Sequence, residues 1–125
     1  MPENAIAKAI IDSSYKIHTS LGPGLFESVY EAVLTYELEL LGYKVERQKP
    51  VPVRYDEKLF DQGFVADLIV GDTVIVELKS VERLSPVHKK QLLTYLKLSG
   101  KRLGLLINFG DSSLNGNISR IANGM

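Results

Sequence analysis

The stretch DLIVGDTVIVELK, residues 67–79, consists of two aliphatic runs separated by a turn signal. Val, Ile and Leu dominate both runs, and Gly-Asp-Thr lies between them, so the stretch predicts an antiparallel hairpin. If Val70 pairs with Val74, Asp67 lies directly opposite Glu77, and opposed residues point to the same face of a sheet. The strand period of two returns Lys79 to that face. One face of the hairpin is therefore expected to carry two carboxylates and a lysine.

Two carboxylates at that separation repel each other, and a half-buried sheet adds the cost of desolvation. A hard divalent cation would resolve both problems. Mg²⁺ or Mn²⁺ held by Asp67, Glu77 and the Leu78 carbonyl would keep several waters and leave positions open for a phosphate. Lys79 would then orient the attacking water or neutralise developing charge. The alternative is a cross-strand ion pair on a solvated face, because a shift of one residue in the register would separate the acids.

Composition narrows the classes of protein that this chain can represent. Its 125 residues are the length of one ordinary domain. The chain has no cysteine, which excludes disulfides, thiolate zinc sites and cysteine-bound iron–sulfur clusters, so any metal is expected to be oxygen-bound. No apolar run is long enough to span a bilayer and the N-terminus lacks the plan of a signal peptide, which predicts a cytoplasmic protein.

Charge gives no global argument for nucleic-acid binding, because fifteen basic residues balance fifteen acidic ones. Binding would need a local patch. The C-terminal half carries a run of basic residues that could meet a phosphate backbone or form an ordinary solvated face: Lys79, Arg83, His88, Lys89, Lys90, Lys97, Lys101 and Arg102.

Hydrophobic periodicity predicts helices from Glu3 to about Ser20, from about Phe26 to Leu41, and from the Ser85-Pro86 start signal to about Leu98. In the second helix Glu27 is anomalous, because a carboxylate is unusual on a face that packs against the core. Successive residues of a helix are rotated by ~100°, which puts Glu27 within about 60° of the apolar stripe. Glu27 should therefore face the core. Glu27 fits either a structural role in the first turn or a catalytic one. Glu31 is expected to lie at the edge of the apolar stripe or to face solvent.

Strands are predicted at 44–48 and 51–55, separated by Pro50, followed by the hairpin and a buried strand at 102–109. Both faces of the hairpin are aliphatic, so helices should cover both, and the strand after the third helix should insert in parallel. Gln91 and Tyr95 share one face of that helix. We expect one domain over residues 1–110 and a C-terminal tail over 111–125, with a short edge element or a frayed end.

The predicted order of helix, three strands, helix and strand, with Asp67 on the second strand and Glu77-Leu78-Lys79 on the third, resembles the core of the PD-(D/E)XK nuclease superfamily. The chain also resembles its GxxExxY branch through Gly24-Leu25-Phe26-Glu27-Ser28-Val29-Tyr30. Further segments carry the likeness: residues 48–53, 64–67, 84–88 and 104–110. The resemblance implies an α/β fold of the restriction-endonuclease type, a central mixed sheet flanked by helices in α-β-β-β-α-β order, here with an extra N-terminal helix.

The resemblance further implies that Asp67 and Glu77 are metal ligands, Lys79 is the catalytic lysine and Glu27 is the helix-borne acid of the first motif. Gln91 and Tyr95 resemble the Gln-x-x-x-Tyr motif of RecB-like members, whose residues support the site or touch DNA. Ala66 replaces the proline that precedes the aspartate in the superfamily's name.

These patterns predict a nuclease that uses Mg²⁺ or Mn²⁺ to hydrolyse nucleic-acid phosphodiesters. Substrate contacts are expected from Tyr95, Lys89, Lys90 and Arg83. The alternatives are an inactive nucleic-acid-binding or assembly module on a nuclease fold, and a metal-free ion-pair cluster that only supports folding. A homodimer or a protein partner would allow both strands of a duplex to be cut, because one small site cuts only one strand.

Overall fold

Five strands form one mixed sheet with helices on both faces, in a computed structural model that describes residues 2–124. The sheet order is β1-β2-β3-β4-β5, and only β3 and β4 are parallel, with α3 as their connection. This confirms the predicted fold, including the extra N-terminal helix. The elements are α1 Pro2–Leu21, α2 Glu27–Leu40, β1 Val45–Tyr55, β2 Lys58–Val70, β3 Val74–Lys79, α3 Pro86–Ser99, β4 Leu103–Asn108 and β5 Ile118–Ala122.

The hairpin register predicted from the sequence is confirmed. Val70 pairs with Val74, and the two pairs that follow are Ile69 with Ile75 and Leu68 with Val76. Alternation then divides the hairpin between two cores. Ile69 and Ile75 pack with residues of α3, whereas the reverse face packs with residues of α1 and α2. The predicted covering of both sheet faces by helices is therefore also confirmed.

The predicted break at Pro50 is wrong, because β1 is one strand from Val45 to Tyr55, whose pairing with β2 shifts register only between Val51 and Val53. β1 lies at the edge of the sheet, and Pro50 sits opposite Val65 on β2. An edge strand tolerates proline because its outer N–H groups need no ladder partner. β1 and β2 are joined at Asp56-Glu57, both with positive φ, as a two-residue hairpin turn of type I′ requires.

The third helix begins and ends as its sequence predicts. The Ser85 hydroxyl accepts a hydrogen bond from the Val87 N–H at 3.4 Å, and His88 Nδ1 accepts one from the Ser85 N–H at 3.3 Å. Together these two bonds form a capping box. Gly100, with φ of 72°, ends the helix in the left-handed conformation that favours glycine.

After β4 the chain returns as β5, which pairs antiparallel with it. Of the two alternatives for the tail, the edge element is therefore the one that forms. Leu114 packs into the core on the α1 and α2 side. No helix described within residues 2–124 is long and apolar enough to cross a membrane.

Candidate active site

Asp67 and Glu77 meet where the β2–β3 ladder stops. Beyond Leu68 and Val76, side chains take the place of backbone partners. The Asp67 N–H donates to Glu77 Oε2 at 2.8 Å, and the Leu78 N–H donates to Asp67 Oδ2 at 2.8 Å. Each carboxylate thus reaches across to the opposite strand. The structure brings the two acids together as the register indicated.

Burial makes the ionised forms of both acids costly. Glu77 is only 8% exposed. Burial raises the pKa of Glu77 to about 8, and the negative charges of Asp67 and, more weakly, Glu27 act in the same direction. Burial is also the largest cause of the raised pKa of Asp67, opposed by its hydrogen bonds from Leu78 and Gln48. Clustered acids with raised pKa values are typical of functional sites.

Lys79 lies half-buried at the end of β3, close enough to the acids to act on them. Its positive charge is one of the smaller causes that lower the pKa values of Asp67 and Glu77. Its backbone is held from β4, since Lys79 pairs with Asn108 and the Phe109 N–H donates to the Lys79 carbonyl at 2.8 Å. The lysine therefore projects from a fixed position beside the acid pair.

Asn108 and Gly110 hold the segment that follows Lys79. The Asn108 carboxamide accepts from the Val81 N–H at 3.0 Å and donates to the Val81 carbonyl at 2.9 Å. A Cβ on Gly110 would lie 2.3 Å from the Val81 backbone, so only glycine fits there. Sequence reasoning missed Asn108. The sequence feature that could have indicated Asn108 is its position as a polar residue at the end of an otherwise aliphatic buried strand.

Glu27 does not face the core, and that prediction is wrong. The residue is exposed, because the buried stripe of α2 begins one turn later, at Tyr30. The Tyr30 hydroxyl donates to the Gly22 carbonyl at 2.5 Å and accepts from the Leu25 N–H at 3.2 Å, which fixes the turn before α2. Glu27 and Ser80 line a common pocket of about 490 Å³. Since the charge of Glu27 also raises the pKa of Glu77, Glu27 lies at the rim of the site.

Glu31 is the buried acid of α2, contrary to the prediction of an edge or solvent position. It is 6% exposed. Its Oε2 atom contacts both Nε and Nη2 of Arg47 at 3.0 Å, and its Oε1 atom accepts from Gln48 Nε2 at 2.5 Å. Gln48 Nε2 also donates to Asp67 Oδ1 at 3.3 Å. Glu31 is thereby linked to the acid pair, a connection between α2, β1 and β2 that no local pattern reveals.

Tyr95 packs against the sheet from α3, near enough to the acid pair for their charges to act on it. Its ring stacks on Phe64, with centroids 3.9 Å apart. Burial raises the pKa of Tyr95, and the negative charges of Glu77 and Asp67 raise it further. Gln91, one turn earlier, is exposed. No hydrogen bond joins Gln91 to either acid within residues 2–124.

Three predicted substrate-binding residues, Arg83, Lys89 and Lys90, line one groove of about 800 Å³ between the start of α3 and the loop before β5. The groove is lined by neither Asp67 nor Glu77, but its first residue, Glu82, follows Lys79 by only three positions. Most of the other lining residues are polar or acidic, and Leu84, Pro86 and Gly116 complete the lining. The polar and acidic ones are Glu82, Ser85, Asp111, Asn115, Asn117 and Ser119. The structure thus gathers these three basic residues in one groove of mixed charge, which the acid pair does not line.

The acid pair fits a hard divalent cation by the chemistry of its donors. Within the described chain, no three acidic, histidine or cysteine side chains come together as a metal-binding group. Two carboxylates suffice for Mg²⁺, which commonly takes one or two and completes its shell with water and phosphate oxygens. A cation would also relieve the repulsion and burial that raise the pKa of Glu77. The Leu78 peptide lies beside both acids, since Leu78 follows Glu77 and bonds to Asp67.

Comparison with known families agrees with this geometry. The family model described as the PD-(D/E)XK nuclease superfamily matches residues 4–121, almost the whole chain. No curated protein and no solved structure matches the chain.

Proposed function

This chain belongs to the PD-(D/E)XK nuclease superfamily, and we propose on that basis that it is a metal-dependent nuclease acting on phosphodiester bonds of DNA or RNA. The observation that carries the proposal is the pair of Asp67, half-buried, and Glu77, buried, side by side at the end of the β2–β3 ladder with Lys79 next to them. The GxxExxY signature supports the same reading, because its Tyr30 fixes the turn that presents Glu27.

Asp67 and Glu77 would hold Mg²⁺ or Mn²⁺, with the Leu78 carbonyl as a further oxygen donor. The raised pKa values of both acids support this role, since the site lacks a positive charge sufficient to offset their burial. When bound, such a metal ion would polarise a phosphoryl oxygen and acidify a water.

Lys79 would orient the attacking water through its ammonium group and offset the negative charge that develops on the phosphoryl oxygens. Hydrolysis forms a bond from the water oxygen to phosphorus and breaks the bond from phosphorus to the leaving sugar oxygen. A proton is lost from the water and one is taken up by the leaving oxygen. Glu27, at the rim, would bind and orient water near Glu77.

Gln91 and Tyr95 would support the site from α3. Tyr95 is already packed against Phe64 beside the acids, whereas Gln91 is exposed and free to meet a substrate strand. Arg83, Lys89 and Lys90 would contact the phosphates flanking the scissile bond from their common groove. A second copy of the chain would be needed to cut both strands of a duplex at one place.

One observation favours a metal-free role as a second candidate. Each acid already accepts a backbone N–H from the opposite strand, so the pair also closes the end of the β2–β3 ladder. If closure were its only role, the pair would support folding and hold no metal, which is compatible with a binding or assembly module. Asp67→Asn would then lower stability without affecting any catalysis.

The test is cleavage of labelled single- and double-stranded DNA and RNA with Mg²⁺, Mn²⁺ or EDTA. Wild type should cut at least one substrate only with metal, Asp67→Asn should not, and the exposed control Glu39→Gln should cut like wild type. Metal-dependent cutting that persists in Asp67→Asn would overturn the assignment of the site. Cutting of no substrate would overturn the nuclease proposal.

A further inference from the structure

We propose that Gln48 is a positioning residue of this site, whose strained backbone and side-chain amide hold Asp67 in the orientation that receives the cation. The inference rests on the proposed function above and deepens it. Sequence reasoning gave Gln48 no role of its own, and it is neither of the acids nor the lysine of the superfamily's motif.

Gln48 stands in an unfavourable backbone conformation inside a strand. Its φ is 47°, in the left-handed region that residues with a side chain rarely adopt. On either side β1 keeps a single register with β2, through Arg47 opposite Leu68 and Lys49 opposite Ala66. Gln48 therefore lies opposite Asp67. Strained residues of this kind persist where surrounding contacts over-determine them, and they concentrate at functional sites.

The side chain explains what holds the strained residue. Gln48 Nε2 donates to Glu31 Oε1 at 2.5 Å and to Asp67 Oδ1 at 3.3 Å, so one amide group bridges two carboxylates. A carboxamide NH₂ has two N–H donors, one for each. The reversed amide would point its carbonyl oxygen at both acids, which would repel it. Arg47, bonded to the other oxygen of Glu31, completes the anchor on α2.

Asp67 is thereby held from two sides. Leu78 donates to its Oδ2 atom and Gln48 donates to its Oδ1 atom, so both oxygens have a directed donor. The remaining lone pairs stay free for a cation, because a carboxylate oxygen can accept more than one bond. Partners of this kind fix the orientation of metal ligands, and their loss typically weakens metal binding by ~10–100-fold.

The test separates metal affinity from folding with two substitutions at one position. Gln48→Gly removes the amide and relieves the left-handed strain, whereas Gln48→Met removes the amide and keeps the strain. Urea unfolding in EDTA should find Gln48→Gly the more stable of the two. Both should bind Mn²⁺ about 10-fold more weakly than wild type by calorimetry. Glu57→Gly is the matched control, because Glu57 has a φ of 61° in the turn between β1 and β2, away from the acid pair.

A metal-free readout comes from amide hydrogen exchange of Leu78, whose N–H donates to Asp67. In EDTA, Leu78 should exchange about 10-fold faster in both Gln48 variants, as Asp67 loses its second anchor, and at the wild-type rate in Glu57→Gly. If Gln48→Gly bound Mn²⁺ as tightly as wild type, or if Leu78 exchange were unchanged in the Gln48 variants, the role of Gln48 would be refuted. The proposed function would be unaffected by either result. If wild type itself bound no Mn²⁺, the proposed function would fail, and Leu78 exchange would decide the role of Gln48.

Discussion

Replacing Glu77 with glutamine is expected to stabilise the metal-free protein at alkaline pH. Burial, together with the neighbouring charge of Asp67, raises the pKa of Glu77 from its ordinary value of 4.5 to about 8. Between those two values the folded protein holds a proton that the unfolded chain releases, so stability falls as the pH rises. Glutamine carries no such proton, and its Oε1 atom can still accept the hydrogen bond from the Asp67 N–H.

The size of the effect follows from the pKa difference. Each pH unit over which only the folded state is protonated costs about 1.4 kcal/mol of stability. The wild type should therefore lose about 4–5 kcal/mol between pH 4.5 and pH 8 from this one group. The variant should be close to wild type at about pH 4.5 and about 4 kcal/mol more stable above pH 8.

Urea unfolding in EDTA at several pH values measures this difference directly, and titrations shared by the two proteins cancel. Glu39→Gln, at an exposed position on α2, is the control and should follow the wild type. Adding Mg²⁺ at alkaline pH should stabilise the wild type and leave the variant nearly unchanged, because a ligand stabilises the state that binds it. Parallel profiles for wild type and Glu77→Gln, differing by under about 1 kcal/mol at every pH, would refute the reasoning.

Other substitutions test the contacts around the site. Gly110→Ala should destabilise the fold by about 2–3 kcal/mol in urea unfolding, because its Cβ would lie 2.3 Å from the Val81 backbone; wild-type stability would contradict this close approach. Tyr30→Phe should cost about 1–3 kcal/mol, since it leaves the Gly22 carbonyl without its hydroxyl donor, and should slow cleavage because the turn before α2 loosens. Lys89→Ala and Lys90→Ala should each lower the slope of log affinity against log salt by about 1 for nucleic acid. An unchanged slope would show that the substituted lysine makes no contact with the nucleic-acid phosphates.

The β-hairpin could be predicted in detail because its information is local. Strand alternation and one turn determine the pairs Val70 with Val74 and Ile69 with Ile75, and therefore the shared position of Asp67 and Glu77. The cap at Ser85 is equally local, because its partners lie within three residues.

The two acids of α2 could not be placed in this way. Angular position on a helix shows which residues share a stripe, but not where that stripe first meets the sheet. Glu27 lies on the stripe before it becomes buried at Tyr30. Glu31 is buried because Arg47 and Gln48, on an edge strand remote in sequence, bond to it. The continuous β1 across Pro50 likewise depends on its edge position, which only the assembled sheet determines.

The central claim is tested most directly by the initial rate at which wild type and Lys79→Met cleave a labelled nucleic acid, measured at Mg²⁺ concentrations that saturate both. The account predicts metal-dependent cleavage by wild type and a rate about 10²–10³-fold lower for Lys79→Met, with metal binding retained, because the ammonium acts on the developing charge. No metal-dependent cleavage by wild type, or an equal rate in Lys79→Met, would contradict it.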